Sequence, residues 1–129
     1  TADMFETMKF ASLLQKVASG DPTALPAREV LEMATIKGAE ALSWSDEIGS
    51  IEPGKKADII VVDLRKPHLT PLYDEESHLV YAARSSDVRT VFVDGRPVVE
   101  DGRLTTMDLE EIMEMAVKTR EELLSRLEG

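Results

Sequence analysis

The chain has 129 residues, 43% of them hydrophobic, with 15 basic and 25 acidic residues and a formal net charge of −10, which suits one ordinary domain and disfavours nucleic acid as a partner. It has no cysteine, which excludes disulfides, thiolate metal sites and a cysteine nucleophile. No apolar run approaches the roughly 20 residues that span a bilayer, so we expect a soluble protein of the cytoplasm with no membrane partner.

The first predicted element is a helix over residues 2–19, a stretch without proline or glycine. Either Thr1 or Asp3 can cap its start. Its apolar residues spread around most of the helix circumference, which predicts burial on more than one side. Because the chain begins with a threonine and enters a helix at once, we expect it to be a piece of a longer protein.

A second helix is predicted over residues 25–43, after the helix-breaking stretch "GDPT". Pro26 falls near the first turn of this helix, where the missing N–H has no intrahelical partner to lose. Gly38 inside the helix indicates close packing against a neighbouring element.

The middle of the chain predicts strands. Ile59–Val62 is a run of β-branched residues too short for a buried helix, and it predicts a strand that is buried on both faces. Residues 88–93 and 97–100 predict a β-hairpin, because Asp94 and Gly95 between them suit a type I′ turn with two positive φ angles. One short helix is predicted around residues 77–83.

The last predicted element is an amphipathic helix over residues 107–127, preceded by the capping signal "TTMDLEE". Arg120 projects near the middle of its apolar arc, where it must either extend to solvent or pair with a carboxylate, and we favour the ion pair. We call the apolar residues of this arc the apolar stripe: Leu109, Ile112, Met113, Ala116, Val117, Leu123, Leu124 and Leu127.

The chain has two histidines, His68 and His78. A zinc site built on them would need a further carboxylate from the acidic group at residues 74–76. We favour instead a packing or hydrogen-bonding role for His78 on a partly buried face.

The stretch "PGKK" at residues 53–56 is similar to part of a phosphate loop. It lacks the first glycine of such a loop and precedes the strand instead of following it. We therefore interpret Lys55 and Lys56 as charges that discourage the pairing of sheet edges.

Five segments together resemble the C-terminal region of the amidohydrolase superfamily, and in particular its 5′-methylthioadenosine/S-adenosylhomocysteine deaminases and chlorohydrolase-like relatives. These segments are "DMFETMKFASLLQK", "ATIKGAEAL", "IGSIEPGKKADIIVVDL", "HLVYAA" and "SSDVRTVFVDGRPVVEDGRL". The sequence departs from the family pattern at Lys37, at Ser85 and in "SWSDE" at residues 43–47.

The resemblance implies an α+β arrangement cut from a (β/α)₈-barrel enzyme. Residues 1–45 would be the last helices of the barrel, residues 46–104 a portion of a small β-sandwich, and residues 105–129 a C-terminal helix. On this reading the strand after "PGKK" is structural, with Asp58 and Asp63 as its polar ends.

The resemblance also indicates which residues this chain lacks. The family binds zinc or another divalent metal through a His-x-His, two further histidines and an aspartate, and the chain contains no His-x-His. The family's aspartate would fall just upstream of Thr1, so we do not assign its role to Asp3. We therefore assign no catalytic, cofactor-binding or metal-binding residue to this chain.

These expectations lead to three hypotheses. The first is the C-terminal fragment of a metal-dependent deaminase of adenosine analogues, inactive alone, whose partner is the missing N-terminal half. The second is a non-catalytic structural module that associates with a second copy of itself, since its unpaired strand edge and its first helix would otherwise be exposed to solvent. The third is a new active site built from His68, His78 and nearby acids.

Overall fold

The computed structural model describes residues 2–127 as an α+β chain with a small antiparallel sheet, as expected. Two 3-10 turns, Pro67–Leu69 and Ser85–Asp87, flank the fourth helix. In chain order the elements are α1 (Met4–Ser19), α2 (Ala27–Met33), α3 (Ile36–Ala41), β1 (Ile59–Val62), α4 (Glu75–Tyr81), β2 (Val88–Val93), β3 (Arg96–Glu100), β4 (Arg103–Leu104) and α5 (Leu109–Leu127).

Helix α1 begins with one of the two predicted caps and ends at the predicted break. The Asp3 carboxylate accepts hydrogen bonds from the backbone N–H groups of Phe5 at 2.9 Å and Glu6 at 3.2 Å. These bonds satisfy two of the N–H groups that have no partner within the helix. Gly20 ends the helix with a φ of 67°, while Thr1, the other predicted cap, lies outside the described residues.

The prediction of one continuous second helix is wrong. The chain leaves helical geometry at Thr35, where φ is −128° and ψ is −103°, and this separates α2 from α3. The Thr35 hydroxyl donates to the Leu31 carbonyl at 2.7 Å, a local bond that competes with helix continuation. Gly38 is closely packed, but against α2 and not against an element outside the predicted helix: a Cβ there would lie 3.0 Å from the Met33 carbonyl oxygen.

The sheet has the strand order β1-β2-β3-β4, and all its neighbours are antiparallel. The hairpin prediction is confirmed: β2 and β3 join through Asp94 and Gly95, whose φ angles are 50° and 75°. A second turn of the same kind at Asp101 and Gly102, with φ angles of 47° and 76°, adds the short strand β4, which we did not predict.

The prediction that β1 is buried on both faces is wrong for the described chain. β1 lies at the edge of the sheet, where Ile60 is 51% and Val61 is 45% exposed. Successive residues of a strand point to opposite faces, so both faces of β1 are partly open. Residues 2–127 supply no layer that covers these two side chains.

The hydrophobic core lies between α1, α2 and α4, and its buried members are Phe5, Met8, Ala27, Val30 and Val80. Contrary to prediction, α1 buries only the side that faces this core. Phe10, Leu14 and Val17 on its other sides are 50%, 64% and 81% exposed.

Helix α5 lies apart from this core. Its predicted cap is confirmed, because the Asp108 carboxylate accepts from the N–H groups of Glu110 at 2.9 Å and Glu111 at 3.3 Å. All of residues 100–127 are exposed. The favoured ion pair of Arg120 does not form within residues 2–127, where this side chain has no carboxylate partner.

No helix in the described part of the chain is both long enough and apolar enough to cross a membrane.

Candidate functional site

The polar cleft, as we call it, lies between the start of α1 and the 3-10 turn Ser85–Asp87. It has a volume of ≈ 750 Å³. The acidic, basic and histidine side chains that line it come from both sides: Asp3, Glu6, Lys9, His68 and Arg84.

A buried carboxylate holds two of the residues that line this cleft. Asp87 is 3% exposed, and its Oδ2 lies 2.8 Å from His68 Nε2 and accepts from the Arg84 backbone N–H at 2.9 Å. Burial alone would raise the pKa of Asp87, but the hydrogen bonds from His68 and Arg84, with the nearby charge of Lys66, hold that pKa below its usual range. The pair ties the turn Pro67–Leu69 to the start of β2.

Asp3 joins the two walls of the polar cleft. Its Oδ1 caps α1, and its Oδ2 accepts from the Ser85 hydroxyl at 2.7 Å. The Ser85 hydrogen bond, followed by the Glu6 N–H, lowers the pKa of the Asp3 carboxyl. Both oxygens are thus engaged by protein groups, an arrangement that suits a structural tie between α1 and residue 85.

The two histidines have separate partners. His78 Nδ1 lies 2.8 Å from the Asp74 carbonyl oxygen and its Nε2 lies 3.2 Å from that of Pro71, which confirms a hydrogen-bonding role, whereas His68 pairs with Asp87. Across residues 2–127, no three His, Cys, Asp or Glu side chains are grouped so that they could hold a metal ion. The described residues therefore do not fit the zinc site that the resemblance implies for the whole family.

The charges around β1 hold the local backbone together. Lys56 pairs with Glu47 at 2.5 Å, and Asp58 accepts a hydrogen bond from the Asp94 N–H at 2.7 Å. The second bond fastens the start of β1 to the β2–β3 turn. No sequence motif predicted this contact or the pair of His68 with Asp87, because both depend on how distant segments meet.

A second cleft of ≈ 560 Å³, the apolar groove, lies between α1 and α3. Its lining is mainly aliphatic, and Asp58 is the one ionisable residue among the described residues that line it. Such a surface can pack against another polypeptide, and its one carboxylate already accepts the hydrogen bond from the Asp94 N–H.

Comparison with known sequences identifies related enzymes. A model of the amidohydrolase family matches residues 1–98. The chain is 55% identical over 124 residues to the 5′-deoxyadenosine deaminase of Methanosarcina acetivorans. This alignment covers 96% of this chain and 28% of the relative. It is also 55% identical over 112 residues to the 5-methylthioadenosine/S-adenosylhomocysteine deaminase of Syntrophobacter fumaroxidans, covering 87% of this chain and 26% of that protein.

Solved structures of related enzymes also match this chain. An adenosine deaminase from Xanthomonas campestris with bound zinc superposes with a TM-score of 0.92 at 38% identity, over 95% of this chain and 28% of that one. The zinc-complexed atrazine chlorohydrolase from Arthrobacter aurescens superposes with a TM-score of 0.80 at 30% identity, over 88% and 25%. The chain thus spans about a quarter of the length of these relatives.

Proposed function

This chain belongs to the amidohydrolase family, and from that membership we propose that it is the C-terminal part of a metal-dependent hydrolytic deaminase of adenosine analogues. The proposed substrates are 5′-methylthioadenosine, S-adenosylhomocysteine or 5′-deoxyadenosine, the compounds in the names of its relatives. Water would replace the exocyclic amine of the adenine ring, and ammonia would leave. The observation that carries the proposal is 55% identity over 96% of this chain to a deaminase of which the chain covers only 28%.

In the proposed enzyme this segment is structural. Residues 1–45 supply the last helices around the barrel, residues 46–104 supply strands of the small sandwich, and residues 105–129 supply the terminal helix. The half-exposed β1 and the exposed sides of α1 support this assignment, because each would be covered by further layers of a larger fold.

We further propose that the chain alone has no deaminase activity. Two solved neighbours are described with zinc, and the described residues group no three metal ligands. The zinc of the full enzyme would then be held by residues upstream of this segment, and no residue of this chain would touch the reacting atoms.

A chimera tests the proposal. In this chimera the chain replaces the matching C-terminal segment of the Methanosarcina acetivorans 5′-deoxyadenosine deaminase. Deamination of 5′-deoxyadenosine and 5′-methylthioadenosine is followed by the ultraviolet absorbance change of the adenine ring, with added zinc. We expect turnover by the chimera and none by the chain alone. A folded, zinc-loaded chimera without activity would contradict the proposed function.

The alternative is a non-catalytic module that associates with itself, and the exposed surface of the chain is consistent with both hypotheses. The chain has 9775 Å² of accessible surface, whereas a compact monomer of 14.3 kDa exposes about 6,800 Å². The excess of about 3,000 Å² exceeds what two partners bury in a standard interface. This surface needs a partner under either hypothesis, and activity of the chimera decides between them.

A further inference from the structure

Helix α5 has an apolar face that nothing in residues 2–127 covers. None of its residues is buried, and Met113, Leu123 and Leu127 in the apolar stripe are 52%, 55% and 83% exposed. At about 100° per residue the stripe covers about 140° of the helix circumference, and the helix is about 28 Å long. A face of this width and length is typical of a helix that packs on another surface.

The position of α5 points to a longer polypeptide as its partner. The Xanthomonas campestris structure superposes on 95% of this chain with a TM-score of 0.92, so the matched region must include most of the 19 residues of α5. The helix therefore has the position relative to the core that its counterpart has in a chain of which this one covers only 28%. Contacts within residues 2–127 do not account for that position.

Arg120 indicates which kind of side chain the surface that covers α5 must carry. It lies in the middle of the apolar stripe, every glutamate of α5 lies outside the stripe, and Arg120 has no hydrogen bond or ion pair among the described residues. A guanidinium that becomes buried in an apolar interface requires a carboxylate partner there.

The same residue argues against a second copy of α5 as the partner. In a parallel pair of stripes the two Arg120 side chains would lie opposite each other. In an antiparallel pair centred on the helix they would lie within about 6 Å along the axis. Neither pairing brings a carboxylate into the seam, so two like charges would be desolvated together.

We propose that α5 docks this segment onto the upstream part of the full-length enzyme, on an apolar surface that presents an Asp or Glu opposite Arg120. This inference rests on the proposed function, because that function supplies the upstream polypeptide. Arg120 then has two effects: it pairs with the upstream carboxylate, and it prevents pairing between two copies of α5.

The chimera separates this inference from the proposed function. We compare Arg120→Glu with Lys118→Glu, which makes a matched charge reversal on the opposite side of α5. We expect Arg120→Glu to lower the Tm of the chimera by about 5 °C or more and Lys118→Glu to leave it nearly unchanged. Equal shifts for the two variants would overturn the inference even if the chimera is fully active, and the Tm comparison remains informative if the chimera is inactive.

A second measurement uses the chain alone and does not depend on the chimera. Because the chain has no cysteine, an Ala116→Cys variant reports contact between two stripes through oxidative cross-linking, and Glu114→Cys on the polar side is its control. We expect equal, low cross-linking for both, and higher cross-linking of Ala116→Cys once Arg120→Leu is added. Preferential cross-linking through Ala116→Cys with Arg120 intact would identify a second copy as the partner and overturn the inference.

Discussion

The Ser12 hydroxyl oxygen lies 2.8 Å from that of Tyr81 and joins α1 to α4. Ser12 is fully buried and also donates to the Leu25 carbonyl at 2.8 Å. One hydroxyl therefore connects two helices and the loop before α2. Because Ser12 donates its proton to Leu25, Tyr81 must be the donor in the contact with Ser12.

Removal of either hydroxyl should destabilise the core of the chain. Ser12→Ala leaves the Tyr81 hydroxyl without its partner and the Leu25 carbonyl with only the long contact from Lys16 Nζ at 3.5 Å. We therefore expect a loss of about 1–2 kcal/mol in the free energy of unfolding, and about 1 kcal/mol for Tyr81→Phe. Urea unfolding at one fixed protein concentration measures both. Ser19→Ala, at an exposed residue of the same helix, is the control. A loss for Ser12→Ala no larger than that of this control would show that the contact does not stabilise the fold.

The pair of Asp87 with His68 predicts an acid-sensitive stability. The folded-state pKa of Asp87 lies below its ordinary value, so the charged carboxylate stabilises the fold. That contribution is complete above the unfolded-state pKa of about 4 and is lost as the pH falls through the lower folded-state pKa. Asp87→Asn should be less stable than the wild type at neutral pH and should lose less stability than the wild type below about pH 4. Urea unfolding across this pH range tests the prediction, and parallel pH profiles for the two proteins would contradict it.

Two glycines should respond differently to the same substitution. Gly49 has a φ of +92°, and a Cβ there would lie 2.7 Å from Ala39 Cβ and 3.0 Å from Ile36 Cα. Gly20 has a φ of +67° with nothing within 4 Å of the added atom. We expect Gly20→Ala to cost about 1 kcal/mol from backbone strain alone, and Gly49→Ala at least about 3 kcal/mol because strain and a steric clash add. Thermal unfolding of the two variants measures the difference. Equal losses of stability would mean that the residues around Gly49 shift at little energetic cost.

The sequence predicts those parts of the fold that short-range chemistry determines. The β2–β3 hairpin follows from Asp94 and Gly95, because these residues adopt positive φ angles readily. The starts of α1 and α5 follow from Asp3 and Asp108, whose carboxylates cap the first turn. The resemblance was also recognisable from local segments, and the family match confirms it.

The features that the sequence did not predict depend on contacts between distant segments. The helix break at Thr35 is not marked by a proline or glycine in the sequence. Instead Gly49, from a later loop, approaches Ile36 and Thr35 at this break. The pair of His68 with Asp87 likewise links two turns that lie on either side of α4. The pattern of β1 predicted burial on both faces, but a strand pattern specifies a preference for burial and does not supply the covering layer.

The exposed edge of β1 leads to a prediction about the chain alone. Ile60 and Val61 are about half exposed on a strand whose outer side has no partner among the described residues, and such an edge is a template for pairing with another copy. We expect light scattering to show an oligomer that grows with concentration. Ile60→Lys should reduce this association, since a lysine on an edge strand opposes pairing. Val117→Lys, which places the same charge in the apolar stripe, should leave the association unchanged, because α5 does not pair with itself. A monomer at all concentrations would contradict the assignment of β1 as the contact. If Val117→Lys reduced the association more than Ile60→Lys, α5 and not β1 would form the contact between copies.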